Sequence, residues 1–412
     1  MISLALARYA AGLRWDALPP DVRQRVQDVL LDALACEAAG RRSEVHRRLV
    51  TVAELAQDTG ASARAFLAGA AIHAIEFDDA HKRSKTHPAA PIVPAVREAA
   101  HLAHASGPAT LTAIVAGYEA MLRLGAAVGA SAHRRSGWHA TCTTGAIGAA
   151  VGASSALGLD AAITAEAIGH AVALMAGNFA FYEAGAMDKP VQVGNAARAG
   201  LLAALMASEG VRGSRSALET QDGGFFKLFG GEPDAVTADF SAFHIREVAF
   251  KPYPCCRTVQ GAIDAAFALR PFYRSGPIRV RTFAIAVEQN GFYAGGSVPR
   301  APFSLPYVVA AAFADGRVDL ESFTPERVAA LSAAERSVSW SVDPALDARY
   351  PEDWPCEVEI DGAAPVRVDV ATGDPRNPMP PDRWEAKLRS CAGEDADRLA
   401  RAVRAMAEPV LR

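Results

Sequence analysis

Apolar and polar positions follow two different periods along this 412-residue chain, and the change falls near residue 240. Before it the pattern is helical. Val22, Val26, Val29, Leu30, Ala33 and Leu34 recur at three- and four-residue spacing behind Pro19-Pro20-Asp21, which predicts a helix to about Ala39 that Gly40 stops. The same spacing returns at about 62–75, 90–105, 110–129, 144–157, 161–175 and 193–208, with Ala and Gly where helices approach closely. No solenoid-type repeat period is visible. After residue 240 the texture changes. Residues 278–288 have strand propensity, and Val338, Trp340 and Val342 alternate with serines. Segments 357–360 and 366–370 flank Asp361-Gly362 as a hairpin, while helical stretches interleave at about 258–269 and 306–314. The fold expected is mostly α with a smaller α+β domain. An all-helical domain spans 1–239, an α+β lid 240–372 and a Pro-rich linker 373–381. Helices over 382–412, capped by Asp382, then return to one of the two domains, the helical one being the candidate.

Length and composition agree with two domains, since the chain exceeds what one core usually holds. Apolar residues make up 50% and charged residues 21%, with a net charge of −4. Such a balance gives no global attraction to nucleic acid or an anionic membrane, so an anionic ligand must be caught by local cations. Six scattered cysteines without a C-x-x-C pair form neither a disulfide framework nor a structural zinc site. Arg8 breaks the N-terminal apolar run, so no export signal is expected and the cytoplasm is the expected compartment. The longest uncharged stretch, 140–159, is rich in small residues and reads as tightly packed soluble helix rather than a membrane span.

Polar islands interrupt this background. In the first, residues 75–94, Glu76, Asp78, Asp79, His81 and His87 crowd against Lys82, Arg83 and Lys85. A solvated loop accounts for the cations. It accounts less well for Glu76 and Asp78, which directly continue an apolar helix, because unpaired charge is costly to desolvate. His87, before Pro88, is the group poised to titrate near neutral pH. The second island is Gly137-Trp138-His139 followed by Thr141, Cys142, Thr143 and Thr144. There Thr143 or Thr144 caps a helix beside a satisfied histidine, or the helix N-terminus offers N–H groups to a carboxylate. The third, Asp188-Lys189-Pro190 through Gly194-Asn195-Ala196-Ala197, puts Lys189 at a helix entrance, as a surface lysine or an anion-capturing cation. The fourth, Lys251-Pro252-Tyr253-Pro254-Cys255-Cys256-Arg257, pins a loop with two prolines. It sets Cys256 beside a guanidinium at a helix start, the surroundings of a reactive thiol. In the last, Phe303-Ser304-Leu305-Pro306-Tyr307, Ser304 as a cap and Tyr307 as a core aromatic compete with a functional reading.

Taken in order, these islands resemble the MmgE/PrpD family, which includes 2-methylcitrate dehydratase, cis-aconitate decarboxylase and iminodisuccinate epimerase. The resemblance rests on Glu76-Phe-Asp78-Asp79 with His87-Pro88, Gly137-Trp138-His139, and Lys189-Pro190 through Gly194-Asn-Ala-Ala197. It continues with Lys251-Pro-Tyr-Pro-Cys-Cys256 and Phe303-Ser-Leu-Pro-Tyr307, and covers about residues 1–390. It implies a large helical domain, a smaller α+β lid, a homodimer, and an active site between the domains. It also implies acid–base chemistry on a small di- or tricarboxylate with neither metal nor organic cofactor. Carried over residue by residue, the catalytic set is Asp78, His87, His139, Lys189, Lys251, Cys256 and Tyr307. Glu76, Lys85, Thr143, Arg257 and Ser304 are the substrate contacts. Two features depart from the pattern: some members have His where Cys256 stands, and the loop between Asp79 and His87 is unusually basic.

The shared chemical problem is a carbanion or enolate beside a carboxylate. Lys189 and Lys251 would hold carboxylates and spread the developing charge, while His139 or His87 moves the proton. Asp78 would orient a histidine, and Cys256 or Tyr307 would act on the opposite face. Dehydration of a methylcitrate-like hydroxy-polycarboxylate leads the expectations. Epimerisation of an aspartate-derived dicarboxylate follows, and decarboxylation is third. From other classes, a metal-dependent hydrolase would use Asp78, Asp79, His87 and His139. A catalytically inactive scaffold is disfavoured by His139, Lys189 and Lys251 occurring together.

Overall fold

The helical periodicity of the first half becomes a packed bundle in the computed structural model, which describes residues 1–408. Its helices are α1 (Ile2–Gly12), α2 (Pro20–Gly40), α3 (Glu44–Leu55), α4 (Ala61–His73), α5 (Ala89–Leu102) and α6 (Gly107–Ala127). They continue with α7 (Ala130–Arg135), α8 (Ala140–Ala156), α9 (Ala161–Leu174), α10 (Ala180–Ala184), α11 (Asp188–Ser208) and α12 (Phe225–Phe229). Because α8 is built of small, uncharged residues on every side, it takes the centre, packed by α5, α6, α9 and α11. Gly148 shows why it needs small residues: a Cβ there would lie 2.7 Å from the Met121 Cβ and 2.8 Å from the Gly117 carbonyl oxygen. The uncharged stretch is therefore the hub of the bundle. Among the described residues no helix is long and apolar enough to cross a membrane.

A short antiparallel ribbon, β1 (Ala80–His81) with β2 (Val248–Ala249), joins the first polar island to the segment leading into the second domain, pairing Ala80 with Ala249 and His81 with Val248. Beyond it lie α13 (Gln260–Leu269), β3 (Ile278–Thr282), α14 (Ala284–Asn290), α15 (Leu305–Asp315) and α16 (Pro325–Leu331). The domain continues with β4 (Val338–Val342), α17 (Pro344–Asp347), β5 (Cys356–Ile360) and β6 (Val366–Val368). The sheet order is β4-β3-β5-β6, with β3 parallel to β4 and antiparallel to β5. Val358 pairs with Val366 in the expected hairpin. The strand read over 278–288 is shorter. Alternation holds through Thr282, and then Phe283, Ile285 and Ala286 bury at helical spacing and form α14.

The chain then returns through α18 (Pro381–Ala392) and α19 (Ala396–Met406), both of which lie against α2. Leu388, Cys391, Ala396 and Val403 join the core of the helical body there. The cap position of α18 is Pro380, so Asp382 sits in the first turn instead of capping it. Residues 409–412 of the expected terminal helix lie outside the described residues.

Candidate active site

The β1–β2 ribbon sets Lys251 against the loop after α4. Glu76 in that loop has a left-handed backbone, φ 53°, unusual for a residue with a Cβ. Its carbonyl accepts from the Lys251 ammonium at 2.9 Å, and the same ammonium lies 3.7 Å from both Glu76 Oε2 and Asp78 Oδ1. The other oxygen of Glu76 pairs with Lys189. Lys189 arrives in the first turn of α11, whose Gly194 packs so tightly on α4 that a Cβ would lie 2.4 Å from the Phe66 carbonyl oxygen. The small residues of the third island are thus a packing device that delivers a lysine. His139 occupies the N-cap position of α8. It is held by its N–H to the Gly177 carbonyl at 3.1 Å and by Phe179 N–H to the Gly137 carbonyl at 3.0 Å, with Gly137 at φ 84°. His73, the last residue of α4, donates from Nδ1 to Asp78 Oδ2 at 2.6 Å. Its ring centroid lies 5.1 Å from that of His87 and 6.1 Å from that of His139.

Three imidazoles and a balanced ion network therefore share one buried locus. Burial, reinforced by nearby cations, holds His73, His87 and His139 well below the usual histidine pKa, so all three are neutral at pH 7. Burial alone would raise the Glu76 carboxyl, but Lys189 and Lys251 outweigh it and keep the group ionised. Burial would likewise lower Lys251, and Asp78 and Glu76 reverse it, so Lys251 stays a cation and cannot serve as a base. His87 Nδ1 lies 2.7 Å from the Asp79 carbonyl oxygen. A carbonyl only accepts, so Nδ1 carries the hydrogen and Nε2 keeps the free lone pair.

A cavity of about 110 Å³ opens between the helical body and the α+β domain, lined by Glu76, Lys85, His87, His139, Lys189, Cys256 and Arg257 among the residues expected from sequence. Cys256 Sγ is 3.0 Å from Thr258 Oγ1, which in turn donates to Asn290 Oδ1 at 2.5 Å, so the thiol donates to Thr258. Arg257 donates to the carbonyls of Thr372 and Ala371 at 2.8 and 3.2 Å, tying it to the end of the α+β domain.

The remaining expected residues are elsewhere. Asp78 and Lys251 are wholly buried behind the lining and act on it through His73 and Glu76. Thr143 neither caps a helix nor reaches the cavity: α8 starts at Ala140, and the Thr143 hydroxyl bonds His133 Nε2 at 2.9 Å. Ser304 caps α15, accepting the Tyr307 N–H at 3.2 Å and donating to the Phe292 carbonyl at 2.7 Å. Tyr307, expected as catalytic, is a core residue of the α+β domain whose hydroxyl donates to the Ser322 carbonyl. Arg134, Phe179, Tyr182 and Trp354, missed from sequence, line the cavity, and His73 lies immediately behind it. The Arg134 guanidinium stacks 3.7 Å over the Phe179 ring, and the Tyr182 hydroxyl donates to the Gln289 carbonyl.

The four residues of the metal-hydrolase alternative do not converge. Asp78 is taken by His73 and Lys251, and Asp79 accepts from the Tyr118 hydroxyl at 2.8 Å and the Ala89 N–H at 3.1 Å. Among the described residues, the group whose possible ligand atoms lie within 4.8 Å of one another is instead His81, His244 and Glu247.

The MmgE/PrpD N-terminal domain matches residues 4–237 and the MmgE/PrpD C-terminal domain residues 253–409. A cis-aconitate decarboxylase of Aspergillus terreus (strain NIH 2624 / FGSC A1156) is 26% identical, over 96% of this chain and 90% of its own. The cis-aconitate decarboxylases of Mus musculus and Homo sapiens are also 26% identical, over 93% and 95% of this chain and 85% and 88% of theirs. With both family domains matched in order along nearly its whole length, the chain belongs to the MmgE/PrpD family.

Proposed function

We propose that this protein is a lyase acting on a small di- or tricarboxylate through a carbanion formed beside a retained carboxylate. The observation that carries the reading is an inter-domain cavity that sets Lys189, His87 and His139 beside the aromatic side chains of Phe179, Tyr182 and Phe303. Decarboxylation of a cis-aconitate-like tricarboxylate fits it best. A leaving carboxylate that sheds its water against aromatic faces is driven toward CO2, while a retained carboxylate beside Lys189 takes up the electron pair of the broken C–C bond. A proton from His139 or His87 then quenches the carbanion. Burial and the nearby cations keep these imidazoles neutral, and an entering polyanion raises their proton affinity by opposing the lysines. The cis-aconitate decarboxylases similar to this chain support placing this reaction ahead of the dehydration favoured from sequence. Dehydration remains the second reading, because His87 lines the cavity as an imidazole whose Nε2 keeps its lone pair, the group type that accepts an α-proton.

Incubation with a panel of di- and tricarboxylates in D2O, followed by NMR, tests this. CO2 loss with uptake of one deuteron supports decarboxylation, and a new alkene from a hydroxy acid supports dehydration. Exchange without net change assigns epimerisation instead, and silence across the panel overturns the lyase reading.

A further inference from the structure

Three cations follow β1, and the structure separates them. Lys82 donates to the Glu352 carbonyl and lies 3.8 Å from Asp374, and Arg83 reaches Glu247 at 3.4 Å. The Lys85 ammonium is buried with no hydrogen-bond acceptor among the described residues, and the Tyr350 ring centroid 5.0 Å away is its partial compensation. Lys85 also has a left-handed backbone, φ 51°, in a turn closed by its N–H to the Lys82 carbonyl at 3.3 Å and by the bridge between His81 and Thr86. A surface lysine needs no such turn. From the α+β domain, Trp354 presents a second buried donor, an indole N–H that likewise lacks an acceptor among the described residues. Both side chains line the cavity and also a larger groove of about 880 Å³, so they share the neck where the two meet. Arg257 lines both spaces too, but its guanidinium is already occupied by backbone carbonyls, which leaves Lys85 as the cation with donors to offer.

We propose that Lys85 and Trp354 form a second carboxylate subsite at this neck. The preferred substrate is then a tricarboxylate, with one carboxylate at Lys189 and another between the ammonium and the indole N–H. Two unpartnered donors, one of them a cation, on residues that line both spaces are completed best by an anionic acceptor with two oxygens, which a carboxylate supplies. The anchor at Lys189 rests on the carboxylate reading above; the subsite itself is read by binding.

Calorimetry with two unreactive probes, tricarballylate and glutarate, tests it. The unaltered protein should bind tricarballylate at least about tenfold more tightly, in line with one added charge-assisted contact. Lys85→Met and Trp354→Phe should each remove most of that preference, and Lys82→Met, whose ammonium is already partnered, should keep it. Thermal melts establish that each variant is folded. Equal binding of the two probes, binding of neither, or a preference that survives both Lys85→Met and Trp354→Phe overturns the subsite. A silent D2O panel with the preference intact would sink the reaction and not the subsite, whereas turnover without the preference would sink the subsite alone.

Discussion

Lys251 and Lys387 are buried lysines that clamp consecutive carbonyls of one loop, yet they differ in what lies beyond the clamp. Lys251 donates to the Glu76 carbonyl at 2.9 Å, and Lys387 to the Phe77 carbonyl at 2.8 Å. Each is held above the ordinary lysine pKa against the pull of burial, Lys251 by Asp78 and Glu76 and Lys387 chiefly by Asp32. Lys387 pairs with Asp32 at 2.5 Å, a closed contact that fastens α18 to α2. Lys251 instead faces two carboxylates whose second partners are Lys189 and His73, and Glu76 itself lines the cavity. A buried ion pair is thus weak evidence of chemistry, since the same interaction serves docking in one place and a reactive site in the other. What distinguishes them is whether the network opens onto a space that can hold a ligand.

The largest effects should come from the end of the network that reaches the cavity. Lys189→Met and His139→Ala are each expected to lower kcat by about 10²–10⁴-fold, with folding checked by circular dichroism. Near-normal turnover in either would remove that residue from the mechanism. The comparison itself is tested next. Removing one partner of a buried pair costs about 3–5 kcal/mol, so urea unfolding should show Lys251→Met and Lys387→Met both destabilised on that scale. Only Lys251→Met should also lose turnover when assayed where it remains folded. If Lys387→Met is equally inactive there, the distinction between docking pair and site network fails.

A smaller effect belongs to pH. Burial, then the charge of Asp78, pushes the Asp79 carboxyl up to about 8, whereas an unfolded aspartate ionises at about 3.9. Between those values the native state holds a proton that the unfolded state has lost, so stability falls as pH rises through this window. His73, His87 and His139 act in the opposite sense, but only below about pH 6.5. There the unfolded chain takes up protons that the native rings refuse, and stability falls as pH drops. Asp79 is therefore read best between about pH 6.5 and 8. Its contribution to the slope is at most about 1.4 kcal/mol per pH unit. Urea midpoints across that interval should decline for the unaltered protein and flatten in Asp79→Asn. An unchanged slope in the variant would show that Asp79 is ionised in the native state.

Much of this was legible in the chain, and the exceptions have physical causes. Period alone separated the helical body from the α+β domain, because Val22, Val26, Val29 and their neighbours must all face one core. Residues 278–288 misled because the buried positions after Thr282 change from every second residue to helical spacing without a Gly or Pro to mark the change. His73 was invisible because a lone histidine ending an apolar helix reads as core. Its chemistry exists only when the loop after it folds Asp78 back to Nδ1. Arg134 and Tyr182 sit in short helices far apart in the chain, and no local pattern predicts that the guanidinium of one will lie over the ring of the other. Trp354 comes from the other domain altogether.

Tyr307 offers the smallest and sharpest contrast, since the motif that contains it looked catalytic and folds as packing. Ser304 spends its hydroxyl capping α15, and the third residue of that helix turns inward among Val308, Val309 and Phe323. Its hydroxyl then meets the Ser322 carbonyl instead of the cavity. Tyr307→Phe deletes that hydrogen bond and leaves a buried carbonyl short of one donor, at a cost of about 1 kcal/mol. Turnover should stay within about twofold, because nothing that lines the cavity loses a partner. Steady-state kinetics on the folded variant decide the matter. A fall in kcat of a hundredfold or more, with the urea midpoint nearly unmoved, would restore Tyr307 to the mechanism and require the α+β domain to rearrange when substrate binds.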